Sequence, residues 1–367
     1  MRHEAESPFR PAVEQRHLLS AFVRTTTYMN RLITPALVWK PFIRPILVFF
    51  NDCYSKPDID FETIKKAAKI ADVIRTNSDL AGKMSLEDPR EHDGSISEAI
   101  TAVEKYVDPA YLAALRTGEP VGLAASNGLG WDPTLYDMVV NSTAGIMSAL
   151  RDVKNGQFAA ASLSSGLHHA SPTRGSGFCT VNSLAIAALV AASEGLSVVI
   201  LDLDAHCGGG TNAYLSAFPE LAGRITHIDV SLSSFDRYTP RVRDVLELTN
   251  EDEYLVAVER ALKKVALASP DVVFYNAGVD IWPQVSPETV SQRDQAVANA
   301  ILEIDSRCVI VMAGGYGSDD QIIPLHVETL KAFVASKSSD TTIEFGVVSP
   351  EAKEMVEILV RRLSTRK

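Results

Sequence analysis

The sequence predicts an α/β protein, a single domain with a mostly parallel central β-sheet and helices on both faces. Three observations carry that expectation. Short runs rich in Val, Ile and Leu alternate with helix-period stretches through the second half of the chain. The runs are apolar throughout rather than alternating, as suits strands covered on both sides. Residue types that do chemistry cluster just past those runs or in Gly-rich turns, where parallel sheets gather their sites.

Composition sets the bounds. A chain of 367 residues, 46% hydrophobic and 22% charged, is globular with ample core material. Its net charge of −11 argues against a nucleic-acid partner held by electrostatics; it fits solubility and is compatible with a cationic substrate. The four cysteines, Cys53, Cys179, Cys207 and Cys308, are scattered without a CxxC pair, as in a reducing compartment. The early apolar run from Thr34 to Phe50 is broken by Lys40, Pro41, Arg44 and Pro45, so it cannot span a bilayer. No signal peptide is visible, and a cytoplasmic location with no membrane partner is expected.

Taken in order, residues 1–40 read as an Arg-rich extension, either an amphipathic arm or a loose terminus, and residues 41–367 are expected to form the main α/β domain. Ile46 to Phe50 reads as the first strand, Phe61 to Arg75 as a helix, and Thr76 to Ser95 as a polar surface loop. Helical patterns follow at Ile96 to Val107 and Pro109 to Leu115, then a Gly-rich loop from Ala124 to Gly130. A long helix is expected over Leu135 to Val153, with Thr143, Ala144 and Gly145 small enough for close packing. Thereafter Val181 to Ser193 is a helix, Val198 to Asp204 the central strand, and Arg224 to Leu232 another. Helix Glu253 to Leu267, strand Val272 to Asn276, helix Arg293 to Ser306, strand Cys308 to Met312 and helix Leu325 to Ala335 complete the alternation.

The central stretch is Val198-Val-Ile-Leu-Asp-Leu-Asp-Ala-His-Cys-Gly-Gly-Gly210. Side chains alternate along a strand, so Asp202, Asp204 and His206 are expected on one face. Two carboxylates and an imidazole there are costly to bury unless a cation sits among them. The three glycines are expected to let the backbone turn sharply. Three other places carry chemistry: Gly166-Leu-His-His-Ala170 with Gly177-Phe-Cys-Thr-Val-Asn182, Tyr275-Asn-Ala-Gly-Val-Asp280, and Ala313-Gly-Gly-Tyr-Gly317. Singly, His168 and His169 could be packing residues, Asp280 a turn residue and Tyr316 a loop aromatic.

In this order and spacing the motifs resemble the histone deacetylase family of the arginase/deacetylase superfamily, bacterial-type histone deacetylase-like amidohydrolases included. The resemblance covers roughly residues 42–335. It implies a zinc amidohydrolase with one Zn²⁺ per chain held by Asp204, His206 and Asp280, iron or cobalt being alternatives. His168 and His169 would serve as base and acid, and Tyr316 would donate to the oxyanion. Asp202 would orient His168. Asp202 and Ser231, with the carbonyls of Asp204, His206 and Leu232, would cradle a structural K⁺. Phe178, Gly166 and Gly315 would line the channel for an acylated amine, with Phe235 or Tyr238 as the other wall. The substrate class implied is an acyl-lysine, an acyl-polyamine or a small N-acyl amide, and a homo-oligomer is compatible with all of this.

Two departures from the family pattern stand out. His206-Cys-Gly-Gly-Gly210 replaces His-His-Gly-Asp-Gly, so Gly209 stands where a carboxylate or amide would partner the second histidine. His169 is therefore expected to lack its orienting group. Lys56-Pro-Asp58 replaces an early His-Pro-Glu, which alters the substrate rim. The first departure motivates an alternative, a catalytically weak metal-binding reader of acylated ligands. An arginase-like dinuclear guanidino hydrolase is less favoured, because Asp280 has no further acidic companions.

Overall fold

The computed structural model describes residues 45–59, 61–165 and 167–337, which fall within one compact unit, Ile43–Asp340. The N-terminal extension (1–40) and Gly166 lie outside the described residues. Among the described residues there are eight strands: β1 (Ile46–Phe49), β2 (Met84–Glu87), β3 (Ala159–Ser162), β4 (Val198–Asp202), β5 (Ile225–Ser231), β6 (Val245–Leu248), β7 (Val272–Gly278) and β8 (Arg307–Ala313). They form one sheet in the order β2-β1-β3-β8-β7-β4-β5-β6, and every neighbouring pair is parallel.

The sheet is buried on both faces, and the two-residue period of its strands sorts side chains between two cores. Val199 and Leu201 of β4, Val273, Tyr275 and Ala277 of β7, and Ile310 and Met312 of β8 face one core, which takes in helices Tyr254–Ala268, Pro287–Glu303 and Asp319–Lys337. Val198, Ile200, Val272, Phe274, Val309 and Val311 face the other, packed by helices Ser95–Tyr106, Leu135–Lys154 and Ser183–Ser193. Each buried Val, Leu or Ile contributes about 1.5–3 kcal/mol. The α/β class and the parallel sheet expected from the pattern are therefore present.

Several elements differ from the expectation. The stretch from Thr76 to Ser95 is not simply a loop: it contributes β2, the edge strand beside β1. Strand β3 is an Ala-Ala-Ala-Ser run with no β-branched residue, yet it lies between β1 and β8. Its small side chains suit helix Leu135–Lys154, which comes so near that a Cβ at Gly145 would sit 2.6 Å from Ser162 Oγ. The close packing expected from Thr143, Ala144 and Gly145 is real. Strand β4 ends at Asp202 rather than Asp204. The glycines after it do not make a turn; Gly209 and Gly210 open helix Gly209–Ala217.

The strand order fixes where the motifs meet. The segments after β3, β8, β7 and β4 carry His168 and His169, Tyr316, Asp280, and Asp204 with His206, respectively. Those four strands are adjacent in that order at the centre of the sheet. Residues far apart in the chain thus share one carboxyl edge.

Candidate metal centre and its histidine pair

Asp202 begins the site. It lies opposite Asn276 on β7 and Asp229 on β5 in the sheet register. Asn276 Nδ2 donates to Asp202 Oδ1 at 2.8 Å, and the other carboxylate oxygen lies 2.9 Å from His168 Nδ1. Beyond the strand end the chain is held by its own carboxylates. The amide of Asp204 donates to Asp202 Oδ1 (3.3 Å), and the amide of His206 donates to Asp204 Oδ1 (2.9 Å). The grouping of Asp202, Asp204 and His206 is as expected, but the last two owe it to these turn hydrogen bonds rather than to strand alternation.

Asp204, His206 and Asp280 come together with one ligand atom each, all within 4.8 Å of one another. His206 Nδ1 lies 3.2 Å from Asp204 Oδ1 and 3.0 Å from Asp280 Oδ2. Asp280 is fixed through its other oxygen, which accepts the Ala205 amide at 3.1 Å. Its Oδ2 is buried and has no aligned hydrogen-bond donor. Burial and the neighbouring Asp204 charge push the Asp280 carboxyl up. Hydrogen bonds to Asp204 and Asp280 push His206 up to about 10. Two converging buried carboxylates, one with an unused oxygen, and an imidazole fit a divalent cation of the zinc type.

The two candidate histidines stand side by side, ring centroids 4.0 Å apart. Burial opposes charging His168, but the charges of Asp202 and Asp204 outweigh it and hold its pKa well above the ordinary value. His169 goes the other way: burial and the His168 charge hold it below the ordinary value. Neighbouring groups of one kind with pKa values driven apart can act as acid and base in one reaction. The expectation that His169 lacks an orienting partner is overturned. Its Nδ1 lies 2.8 Å from Asp236 Oδ2, a carboxylate from the loop after β5. The weak-reader alternative loses its motive with that contact.

Tyr316 follows two glycines in the left-handed region, Gly314 (φ 62°) and Gly315 (φ 93°). A Cβ at Gly314 would lie 2.5 Å from Asp280 Cγ, so glycine is also required there for the loop to approach the carboxylate. Lys66 braces the same loop by donating to the Gly314 carbonyl. Burial lowers its pKa to about 8. Tyr316 and Phe178 are both exposed on the rim, and Phe61 packs against both, with centroids 6.2 and 4.9 Å away. Phe235 packs edge-on against His169 (5.0 Å) and His206 (5.8 Å). Phe61, Phe178, Tyr316, His168, His169 and Asp204 line one cavity. Tyr238 is not a channel wall: its ring stacks on His227 and its hydroxyl lies 3.1 Å from His227 Nδ1.

The K⁺ expectation concerned Asp202, Asp204, His206, Ser231 and Leu232. The amides of Leu232 and Ser233 both donate to the Ala205 carbonyl, which holds the two segments together. The Ser231 hydroxyl, however, donates to Asp229 Oδ1 at 2.5 Å. Asp202, His227 and Asp229 form a second buried group whose ligand atoms lie within 4.8 Å. Burial and the Asp202 charge push Asp229 up to about 6. Phe61, Asp236, His227 and Asp229 were all missed in the sequence. None belongs to a motif, and Phe61 was read only as the start of a helix.

The chain belongs to the histone deacetylase family: the histone deacetylase domain matches residues 98–329. It is thereby a deacetylase-type hydrolase. It is 29% identical over 203 residues to an uncharacterized protein of Picosynechococcus sp., covering 52% of this chain and 67% of that one. It is 30% identical over 189 residues to histone deacetylase 2 of Arabidopsis thaliana, covering 47% and 48% respectively. The chain thus spans about half the length of the Arabidopsis protein. The crystal structure of an acetylpolyamine aminohydrolase from Burkholderia pseudomallei matches with a TM-score of 0.62 at 19% identity, over 79% of this chain and 99% of that one. That match bears on the fold.

Proposed function

We propose that this protein is a zinc-dependent amidohydrolase that removes an acyl group, most simply acetyl, from an amine such as an acyl-lysine, an acyl-polyamine or a small N-acyl amide. The observation that carries the reading is the convergence of Asp204, His206 and Asp280 within 4.8 Å, lining or adjoining the cavity that His168, His169 and Tyr316 also line.

Asp204, His206 and Asp280 would hold the ion. A zinc ion so held supplies Lewis acidity to the amide carbonyl and to water. His169, kept neutral by its burial and by the charge of His168, takes the proton from the attacking water. His168, kept protonated by Asp202 and Asp204, donates to the departing amine. Tyr316 donates its phenolic hydrogen to the developing oxyanion; burial and the charges of Asp280 and Asp204 raise its pKa, so it stays protonated at working pH. Phe61, Phe178 and Phe235 offer apolar walls to a methylene stem and exclude water beside the reacting carbonyl. A K⁺ near Asp202, Ser231 and Leu232 is the structural ion we propose.

Four free cysteines support a reducing compartment such as the cytoplasm. No helix among the described residues is long and apolar enough to cross a membrane. The test is a metal analysis joined to turnover assays of the zinc-loaded protein on acyl-lysine peptides, acyl-polyamines and small N-acyl amines. We expect one zinc per chain and turnover on at least one class. Protein with its metal bound and no turnover on any of the three would refute the proposal.

A further inference from the structure

The loop after β5 reaches back across 67 residues of sequence to place one carboxylate on His169. Asp236 Oδ2 lies 2.8 Å from His169 Nδ1 and accepts the Gly210 amide at 3.2 Å. Its backbone is left-handed (φ 59°), a conformation that Asp tolerates better than most residues. The loop is pinned on either side of that strained position. The Cys207 amide donates to the Phe235 carbonyl at 3.0 Å, and the Phe235 amide donates to Ser233 Oγ at 3.2 Å.

The space that Asp236 fills is space that residue 209 leaves. A Cβ on Gly209 would lie 2.5 Å from the Asp236 carbonyl oxygen, 2.6 Å from its Cγ and closer still to Oδ1. Even alanine cannot be added at 209 without moving Asp236, and an acidic side chain from 209 would compete for the same volume. The opposite side of the imidazole is equally tight: a Cβ on Gly177 would lie 2.5 Å from His169 Cδ2. Phe235 meets the ring edge-on. Gly177, Phe235 and Asp236 leave the ring one orientation.

We propose that Asp236 is the positioning residue for His169, and that Gly209 is bare so that this carboxylate can enter from the loop after β5. The carboxylate accepts the Nδ1 hydrogen, which selects the tautomer whose Nε2 lone pair is free to take a proton. The same loop carries Phe235, so the carboxylate that orients the imidazole and the ring that meets it edge-on come from adjacent residues. The inference rests on the deacylase reading for its catalytic consequence but not for its structural one.

The experiment compares the zinc-loaded wild type with Asp236→Ala, Asp236→Asn and the exchange variant Gly209→Asp/Asp236→Gly. It reads zinc content, kcat and KM on whichever acyl substrate is turned over, and the His169 tautomer by ¹⁵N-histidine NMR. We expect zinc content to be unchanged throughout. Asp236→Ala should lower kcat by about 100-fold with KM little altered, and Asp236→Asn, whose amide oxygen can still accept the Nδ1 hydrogen, should lose less. The exchange variant should recover at least about tenfold of that loss. The His169 signal should pass from a single Nδ1–H tautomer to a mixture in Asp236→Ala and return in the exchange variant. A kcat in Asp236→Ala within about threefold of wild type would overturn the proposal, as would an unchanged tautomer in that variant. If Asp236→Ala fails to fold, Asp236→Leu, close to Asp in shape but without an acceptor, takes its place and is read by the same kcat and tautomer. If the wild type turns over nothing, the deacylase reading falls, while the tautomer still tests Asp236.

Discussion

Replacing Tyr316 with Phe removes one oxygen, and that oxygen makes no hydrogen bond to the protein among the described residues. The ring keeps its contacts with Phe61 and Phe178, both at 6.2 Å, and it is already 47% exposed. Stability should therefore change by no more than about 0.5 kcal/mol. The transition state is another matter. Loss of one positioned oxyanion donor costs about 2.7–4 kcal/mol, or about 100- to 1,000-fold in kcat. The assay is steady-state hydrolysis of an acyl-lysine peptide by the zinc-loaded variant, alongside its melting temperature and zinc content. The expected result is a collapse of kcat with unchanged melting, unchanged zinc and a KM close to wild type. Should the variant keep its kcat within about threefold, the hydroxyl is not an oxyanion donor and the assigned chemistry is wrong.

Further outcomes follow from the charges around the proposed metal site. Asp280→Asn should abolish tight zinc binding yet raise the melting temperature of the metal-free protein, because it removes a buried carboxylate beside Asp204; full zinc retention after dialysis would contradict the ligand assignment. Metal-free wild type should lose stability as pH rises from 6.5 to about 10, because His206, raised to about 10 between Asp204 and Asp280, favours the folded state only while protonated. With zinc in its place that slope should vanish, so identical melting profiles with and without zinc would count against it. For the zinc-loaded enzyme, kcat/KM should stay level as pH falls through 6.5 and decline only below, since His169 is held under its ordinary value and must be neutral to accept a proton. A midpoint at or above 6.5 would remove His169 as the base.

How much of this was legible in the sequence depends on the range of the interaction concerned. Strands β4, β7 and β8 announced themselves because a strand covered on both faces must be apolar at nearly every position. Strand β3 did not, because close contact with helix Leu135–Lys154 favours alanine, whose intrinsic strand preference is poor. Edge strand β2 hid in a polar stretch for the opposite reason, being only partly buried along most of its length. Asp204, His206 and Asp280 were expected together and do converge, although the turn geometry that assembles the first two was mistaken for strand alternation. The triple glycine was read as allowing a sharp turn, whereas the close neighbours of all three positions make clearance the requirement, and clearance is invisible until the neighbour is known. Asp236 could not be found at all: it lies in no motif, and only folding shows that it fills what Gly209 vacates.

One guanidinium at the back of the sheet has a larger consequence than its distance from solvent suggests. Arg293, fully buried in helix Pro287–Glu303, donates to the carbonyls of Leu203 and Gly278, one residue ahead of Asp204 and two ahead of Asp280. It is itself paired with Asp294, which also receives the Tyr275 and Thr329 hydroxyls. The span between the two acidic jaws is thereby set by a rivet behind them, before any ion arrives. Of the ions that Asp204 and Asp280 are proposed to hold, a preset span would favour those whose preferred geometry it matches.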